Sequence, residues 1–241
     1  MRFAGLLAVT FAVLTSTHTI AAQAEGKRHS AVTPVPREGN WIKRHESFNE
    51  RVRQGNIDLV FIGDSITQGW EGAGKDVWKK YYGDRNAVNL GIGGDRTQHV
   101  LWRLENGNIE GISPKVAVLM IGTNNSGDNA PEEIADGIEA IVKKLREQLP
   151  RTKILLLGIF PRGSGPSDTR RQVNQETNEF VSKLADGEHI FYLDIGEEFL
   201  EDNGTLSREI TPDLLHLSPK GYEIWAKAIE PKLSELMRDK K

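Results

Sequence analysis

Four short blocks of this 241-residue chain hold the residue types that nucleophilic acyl chemistry requires. Gly63-Asp64-Ser65-Ile66-Thr67 follows an apolar run, so Ser65 leaves a strand at a glycine-marked turn and can project its hydroxyl past the sheet edge. An isolated serine there could equally cap the next helix. Asn89-Leu90-Gly91-Ile92-Gly93-Gly94-Asp95 exposes successive backbone N–H groups with little side-chain cover, as an anion site requires, although an ordinary tight turn has the same composition. Asp95 is expected to cap the following helix. In Gly122-Thr123-Asn124-Asn125 an asparagine amide can donate to an oxyanion or simply form a turn. Asp213-Leu214-Leu215-His216 sets a carboxylate three residues before an imidazole, where it can take the ring N–H, fix the tautomer and stabilise the imidazolium.

Elimination favours the same histidine. His18 and His29 precede the expected domain, His45 lies on its first helix, and His189 stands before the last strand at the opposite end of the sheet. His99 follows the glycine turn but has no acid at the required offset, so it is expected to pack or line the rim. Only His216 has suitable company. The chain contains no Cys, which excludes a thiol nucleophile, and no H-E-x-x-H or clustered His and carboxylates that would call for a metal. No cofactor is expected. Gly69 to Asp76 resembles a phosphate loop in spacing, yet Asp76 stands where a magnesium-binding hydroxyl belongs. Gly91, Gly93 and Arg96 begin a dinucleotide fingerprint, but Arg96 replaces its third glycine.

The elements that must position these blocks alternate. Trp41, His45, Phe48 and Val52 recur at helical spacing, and Gly55 and Asn56 end that helix. Short apolar runs follow at Ile57 to Ile62, Ala87 to Leu90, Val116 to Ile121, Ile154 to Ile159 and Ile190 to Leu193. Runs apolar on both faces suit buried parallel strands, and the intervening segments are long enough to return as helices. Asp128 or Asn129 is expected to cap a helix opening at Pro131, and Ser218 before Pro219 to cap the final helix, which runs to about Met237. The pattern predicts an α/β fold, a three-layer α/β/α sandwich on a five-stranded parallel sheet of flavodoxin-like order 2-1-3-4-5. In such sheets ligands sit beyond the carboxyl ends of the strands, where the four blocks fall.

Bulk properties narrow the class further. The length suits one domain, and a net charge of -3 offers no basic field for counterion release, so nucleic acid is not an expected partner. Residues 1–24 combine an early Arg, a short apolar run and Ala22 and Ala24 two positions apart, the pattern of a cleavable secretory signal. The apolar run is about 12 residues against the roughly 20 a membrane helix needs, so a soluble, secreted or periplasmic product is expected. Residues 25–40 are polar with Pro34 and Pro36, which predicts a flexible leader before a domain at 41–241.

The conjunction of GDS, the GGD turn, GTNN and D-x-x-H resembles the SGNH, or GDSL, hydrolases. Longer strings, WIKRHESFNERV, LVFIGDSITQGW, NLGIGGDRTQHVLWRLENG, LGIFPRG and LLHLSPKGY, resemble the α-type catalytic subunits of platelet-activating-factor acetylhydrolase over about residues 41–236. The resemblance implies that Ser65 is a nucleophile, His216 its base and then acid, and Asp213 the residue that orients His216. It further implies an oxyanion hole made by the Ser65 and Gly94 N–H groups and the Asn124 amide. Ile66, Thr123 and Leu215, as neighbours of these residues, are expected to wall a small acyl pocket, which favours acetyl esters of a carbohydrate or lipid. Phe160-Pro161-Arg162-Gly163, with Arg170 and Arg171 beyond it, forms a loop that could contact the leaving group. A homodimer follows by family analogy alone. The alternatives are a lysophospholipase or thioesterase with a longer acyl site, and a non-catalytic glycan-binding module on the same fold.

Overall fold

The computed structural model describes Met1 and residues 29–238, so the expected signal segment lies outside the described residues apart from Met1. Strands β1 (Leu59–Gly63), β2 (Ala87–Gly91), β3 (Val116–Met120), β4 (Lys153–Leu157) and β5 (Ile190–Leu193) form one parallel sheet in the order β2-β1-β3-β4-β5. That is the expected order. Successive side chains of a strand point to opposite faces, and the core divides accordingly. Val60, Ile62, Ala117, Leu119, Ile154 and Leu156 join one apolar cluster. Leu59, Phe61, Val116, Val118, Leu155 and Leu157 join the other.

Helices α1 (Asn40–Arg53), α4 (Thr97–Glu105), α5 (Pro131–Gln148) and α6 (Thr169–Val181) cover the first face. Helices α3 (Lys75–Tyr82) and α7 (Pro219–Met237) cover the second, completing three layers; α2 (Ser65–Gln68) is a single turn at the β1 exit. The α1 face buries Trp41, His45, Phe48 and Val52, as their spacing predicts. The Ser218 hydroxyl accepts the Gly221 N–H at 3.2 Å at the start of α7. Gly69 and Gly74, whose spacing resembles a phosphate loop, lie where a Cβ would collide with Tyr222, so close packing accounts for both.

Three expectations are corrected. Helix α5 is capped at Ala130, because the Asp128 and Asn129 N–H groups are drawn into a turn onto the Asn125 carbonyl, each at 2.9 Å. Glu133 instead reaches back to the Ala130 N–H at 3.2 Å. Helix α4 is capped at Arg96, whose N–H is accepted by His99 Nδ1 at 3.0 Å, while Asp95 turns inward. The described part of the leader, 29–39, is packed against the domain. The Ala31 carbonyl accepts the Thr97 hydroxyl at 2.8 Å, Ser30 Oγ accepts the Asn129 amide at 2.9 Å, and Arg37 donates to the Gly93 carbonyl at 2.8 Å. Ala31 is small enough to be fully buried over α5, where Gly137 leaves room for its carbonyl. Among the described residues no helix is long and apolar enough to cross a membrane.

Candidate active site

The rim at the carboxyl ends of β1, β2 and β3 gathers three of the four blocks, and the loop before α7 brings the fourth. Ser65 opens α2 directly after β1, and Asp64 caps that turn by accepting the Ile66 N–H at 2.9 Å. Ser65 Oγ lies 2.8 Å from His216 Nε2, across 151 positions of sequence. His216 Nδ1 in turn lies 2.6 Å from Asp213 Oδ2. A carboxylate can only accept, so Nδ1 carries the proton and Nε2 faces the serine hydroxyl as an acceptor.

Local backbone geometry makes this pairing short-range and firm. Leu214 has φ 62°, a left-handed value unusual for a branched residue. The fold-back lets Asp213 Oδ1 accept the His216 N–H at 2.7 Å and the Leu215 N–H at 3.1 Å. Burial works to raise the Asp213 pKa, but the bonds from the His216 ring and the two N–H groups outweigh it and hold the carboxyl below its ordinary range. It is therefore anionic at neutral pH.

Candidate donors stand on the neighbouring loops. Gly94 has φ 75°, which glycine adopts without steric cost, and a Cβ there would press on the Arg37 guanidinium at 3.2 Å. The Gly93 N–H is taken by Gln68 Oε1 at 2.6 Å. Among the described residues the N–H groups of Ser65 and Gly94 have no protein acceptor. Asn124 is anchored beside them, its amide donating to the Asp95 carbonyl at 2.9 Å. The arrangement can accept developing negative charge on an oxygen held near Ser65.

Behind this turn lies a polar framework that sequence patterns did not reveal. Asp95 is fully buried, accepting the Trp41 indole N–H at 2.6 Å and Arg103 Nε at 2.9 Å. Arg103, also fully buried, donates to the Leu90 carbonyl at 2.9 Å and to Asn108 at 2.8 Å. The charge pair thus ties α1, α4 and the β2 exit together, with its remaining hydrogen-bonding capacity largely satisfied. Burial lowers the His99 pKa to about 4, aided by Arg37, Arg96 and Arg103, so its imidazole is neutral and serves as the acceptor at the start of α4. Asp64 is buried completely. That burial, reinforced by Asp95, pushes its carboxyl up to about 7 against the opposing pull of the Ile66 N–H and His216.

The residues expected to wall the acyl pocket differ in exposure. Ile66 is 2% exposed and joins the core under α7, while Thr123 is 1% exposed. The Thr123 hydroxyl is turned into a network, accepting Arg162 Nη1 at 3.1 Å and the Asn174 amide at 3.2 Å. Both side chains are thus committed largely to packing and to this network. Leu215 remains partly exposed. Arg162 is the residue that the site gains: its guanidinium also donates to the Thr123 carbonyl at 3.2 Å, and the adjacent Gly163 N–H donates to the Leu214 carbonyl at 2.9 Å. It joins the Asn124 loop to the His216 loop. Among the described residues no cluster of three or more His, Asp or Glu could hold a metal.

Comparison with known proteins identifies the family and the fold. The GDSL-like lipase/acylhydrolase family model matches residues 61–224. The chain is 38% identical over 218 residues to the human platelet-activating factor acetylhydrolase IB subunit alpha1, covering 88% of this chain and 93% of that protein. Solved structures that share the fold include a lipase and an esterase. A GDSL-like lipase from Bacteroides thetaiotaomicron matches with TM-score 0.64 at 20% identity, covering 80% of this chain and 97% of that one. The acetylxylan esterase Axe2 from Geobacillus stearothermophilus matches with TM-score 0.61 at 21% identity, covering 77% and 98%. The chain belongs to the GDSL-like lipase/acylhydrolase family.

Proposed function

We propose that this protein is a serine esterase that removes a short acyl group, acetyl above all, through a covalent acyl-enzyme. The observation that carries the reading is the continuous line Ser65 Oγ, His216 Nε2, His216 Nδ1, Asp213 Oδ2, with steps of 2.8 and 2.6 Å. A serine hydroxyl is a weak nucleophile until a base takes its proton. As Ser65 Oγ bonds to the ester carbonyl carbon, its proton passes to His216 Nε2, and Asp213 stabilises the resulting imidazolium. The carbonyl oxygen becomes an oxyanion facing the Ser65 and Gly94 N–H groups and the Asn124 amide. Collapse breaks the carbon–oxygen bond to the alcohol, which leaves with the proton from His216. Water then repeats the sequence on the acyl-serine, releasing the acid and restoring Ser65.

Preference for acetyl is supported by the name of the human relative, an acetylhydrolase with which most of this chain aligns. Export from the cytoplasm is part of the same proposal and rests on the signal-like residues 1–24. A chain-length series of para-nitrophenyl esters tests the acyl assignment. We expect kcat/KM to fall steadily from acetate to octanoate; equal or faster octanoate turnover would replace it with a longer-chain lipase or thioesterase.

A further inference from the structure

The turn that carries the Gly94 N–H is gripped from outside by the leader. Arg37 stands 56 positions before Gly93, yet its Nη1 donates to the Gly93 carbonyl at 2.8 Å. The same guanidinium packs beside Gly94, where a Cβ would meet Nη1 at 3.2 Å and Nη2 at 3.4 Å. Gly94 is therefore required twice over, by its φ of 75° and by the side chain lying against it. Arg37 Nη1 also lies 3.5 Å from Asp95 Oδ1, but that carboxylate already has its buried counter-ion in Arg103 at 2.9 Å. Neutralising Asp95 does not account for Arg37.

The leader delivers Arg37 along a constrained path. The Val35 N–H donates to the Gln98 carbonyl at 3.3 Å, and the Ala31 carbonyl accepts the Thr97 hydroxyl, so the segment is tied to α4 at two points. Pro36, directly before Arg37, fixes its own φ and biases Val35 toward extended backbone. The turn is held from its other side by Gln68, whose Oε1 accepts the Gly93 N–H at 2.6 Å. It also abuts the nucleophile, because a Cβ on Gly93 would lie 3.7 Å from Ser65 Cβ.

The Gly93 carbonyl and the Gly94 N–H belong to one peptide unit, which is planar and trans, so the two groups point in opposite directions. A donor fixed on the carbonyl thereby fixes the direction of the N–H. A cationic donor also draws electron density from the carbonyl and strengthens the N–H on the far side of the same unit. We propose that Arg37 is a positioning residue of the oxyanion hole, acting through this peptide on the Gly94 N–H without touching substrate. The inference rests on the esterase reading and adds to its machinery a residue of the leader. As the ester carbonyl oxygen gains charge, an N–H already aimed and polarised needs no reorganisation.

Arg37→Met keeps an unbranched side chain without donor or charge, and Arg37→Lys keeps both. The test measures kcat and KM of the wild type and both variants on para-nitrophenyl acetate, together with inhibition by an aryl trifluoromethyl ketone. Ser65 Oγ adds to the ketone carbon, its proton passes to His216, and the ketone oxygen becomes an oxyanion like that of the transition state. Asp136→Ala, which releases His29 of the leader from a 3.1 Å contact on α5, controls for simple loosening of the leader. Removing a whole oxyanion donor costs roughly 10² to 10³-fold, so misaiming one predicts about a tenfold fall in kcat for Arg37→Met, with KM within about twofold. Ketone inhibition should weaken by the same factor, Arg37→Lys should recover to within about threefold of wild type, and Asp136→Ala should stay within about twofold. Wild-type kcat in Arg37→Met, a loss confined to KM, an equal loss in Asp136→Ala, no recovery in Arg37→Lys, or unchanged ketone inhibition would each overturn the role of Arg37. Those results leave the esterase reading standing, whereas a wild type inactive on the aryl acetate would refute that reading and this inference with it.

Discussion

His216 Nδ1 lies 2.6 Å from Asp213 Oδ2, and the two residues stand only three positions apart in a loop that Leu214 closes with a φ of 62°. The carboxylate thus orients the imidazole from within one turn of chain, where it also binds the His216 backbone N–H at 2.7 Å. Asp213→Asn keeps an oxygen for the backbone N–H groups but offers a donor to Nδ1, which favours the wrong tautomer. We expect kcat on an aryl acetate to fall by roughly 10³ to 10⁴-fold. Stability should change by about 1 kcal/mol or less, because the pair is solvent-exposed. Steady-state kinetics and urea denaturation of the same variant check both halves.

Asn124 offers a second test with a different signature. Its amide donates to the Asp95 carbonyl at 2.9 Å, so the side chain is positioned before any substrate arrives. Asn124→Ala should cost about 2.7 to 4 kcal/mol of transition-state stabilisation, roughly 10² to 10³-fold in kcat, with KM little altered. A rate within about threefold of wild type would remove Asn124 from the oxyanion hole.

Asp64 makes stability depend on pH. Its carboxyl titrates near 7 in the folded protein, against an ordinary value of 3.8, because burial disfavours the charged form. Between these values the folded state holds a proton that the unfolded chain has lost, so this group's contribution to stability declines as pH rises from about 4 to about 7. Asp64→Asn, which cannot ionise, should flatten that decline. Urea midpoints at pH values across the window measure the difference; parallel curves for the two proteins would contradict the buried-acid account.

Much of this site was legible because its parts are local. Ser65, the Gly93-Gly94 turn and Asn124 each follow an apolar run, and a parallel sheet brings consecutive strand exits to one rim whatever the details of packing. The Asp213 and His216 pairing is set by three-residue spacing. Long-range polar contacts had no such signature. Trp41 has the spacing of an apolar helix position, yet its indole N–H is committed to Asp95, which itself looks like a helix cap. Arg103 sits on α4 among apolar neighbours, and nothing local reveals that it neutralises Asp95 eight residues earlier. The burial of Ile66 and Thr123 has a related reason: adjacency in sequence to a reacting residue does not decide which way a side chain turns.

The most direct measurement is the identity of the atom that becomes acylated. Rapid acid quench of the enzyme with para-nitrophenyl acetate, followed by peptide mass spectrometry, should find one acetyl group on the peptide containing Ser65 and none in Ser65→Ala protein, with a matching burst of nitrophenol. Undiminished turnover by Ser65→Ala, or acetyl trapped on another residue as the competent intermediate, would contradict the mechanism.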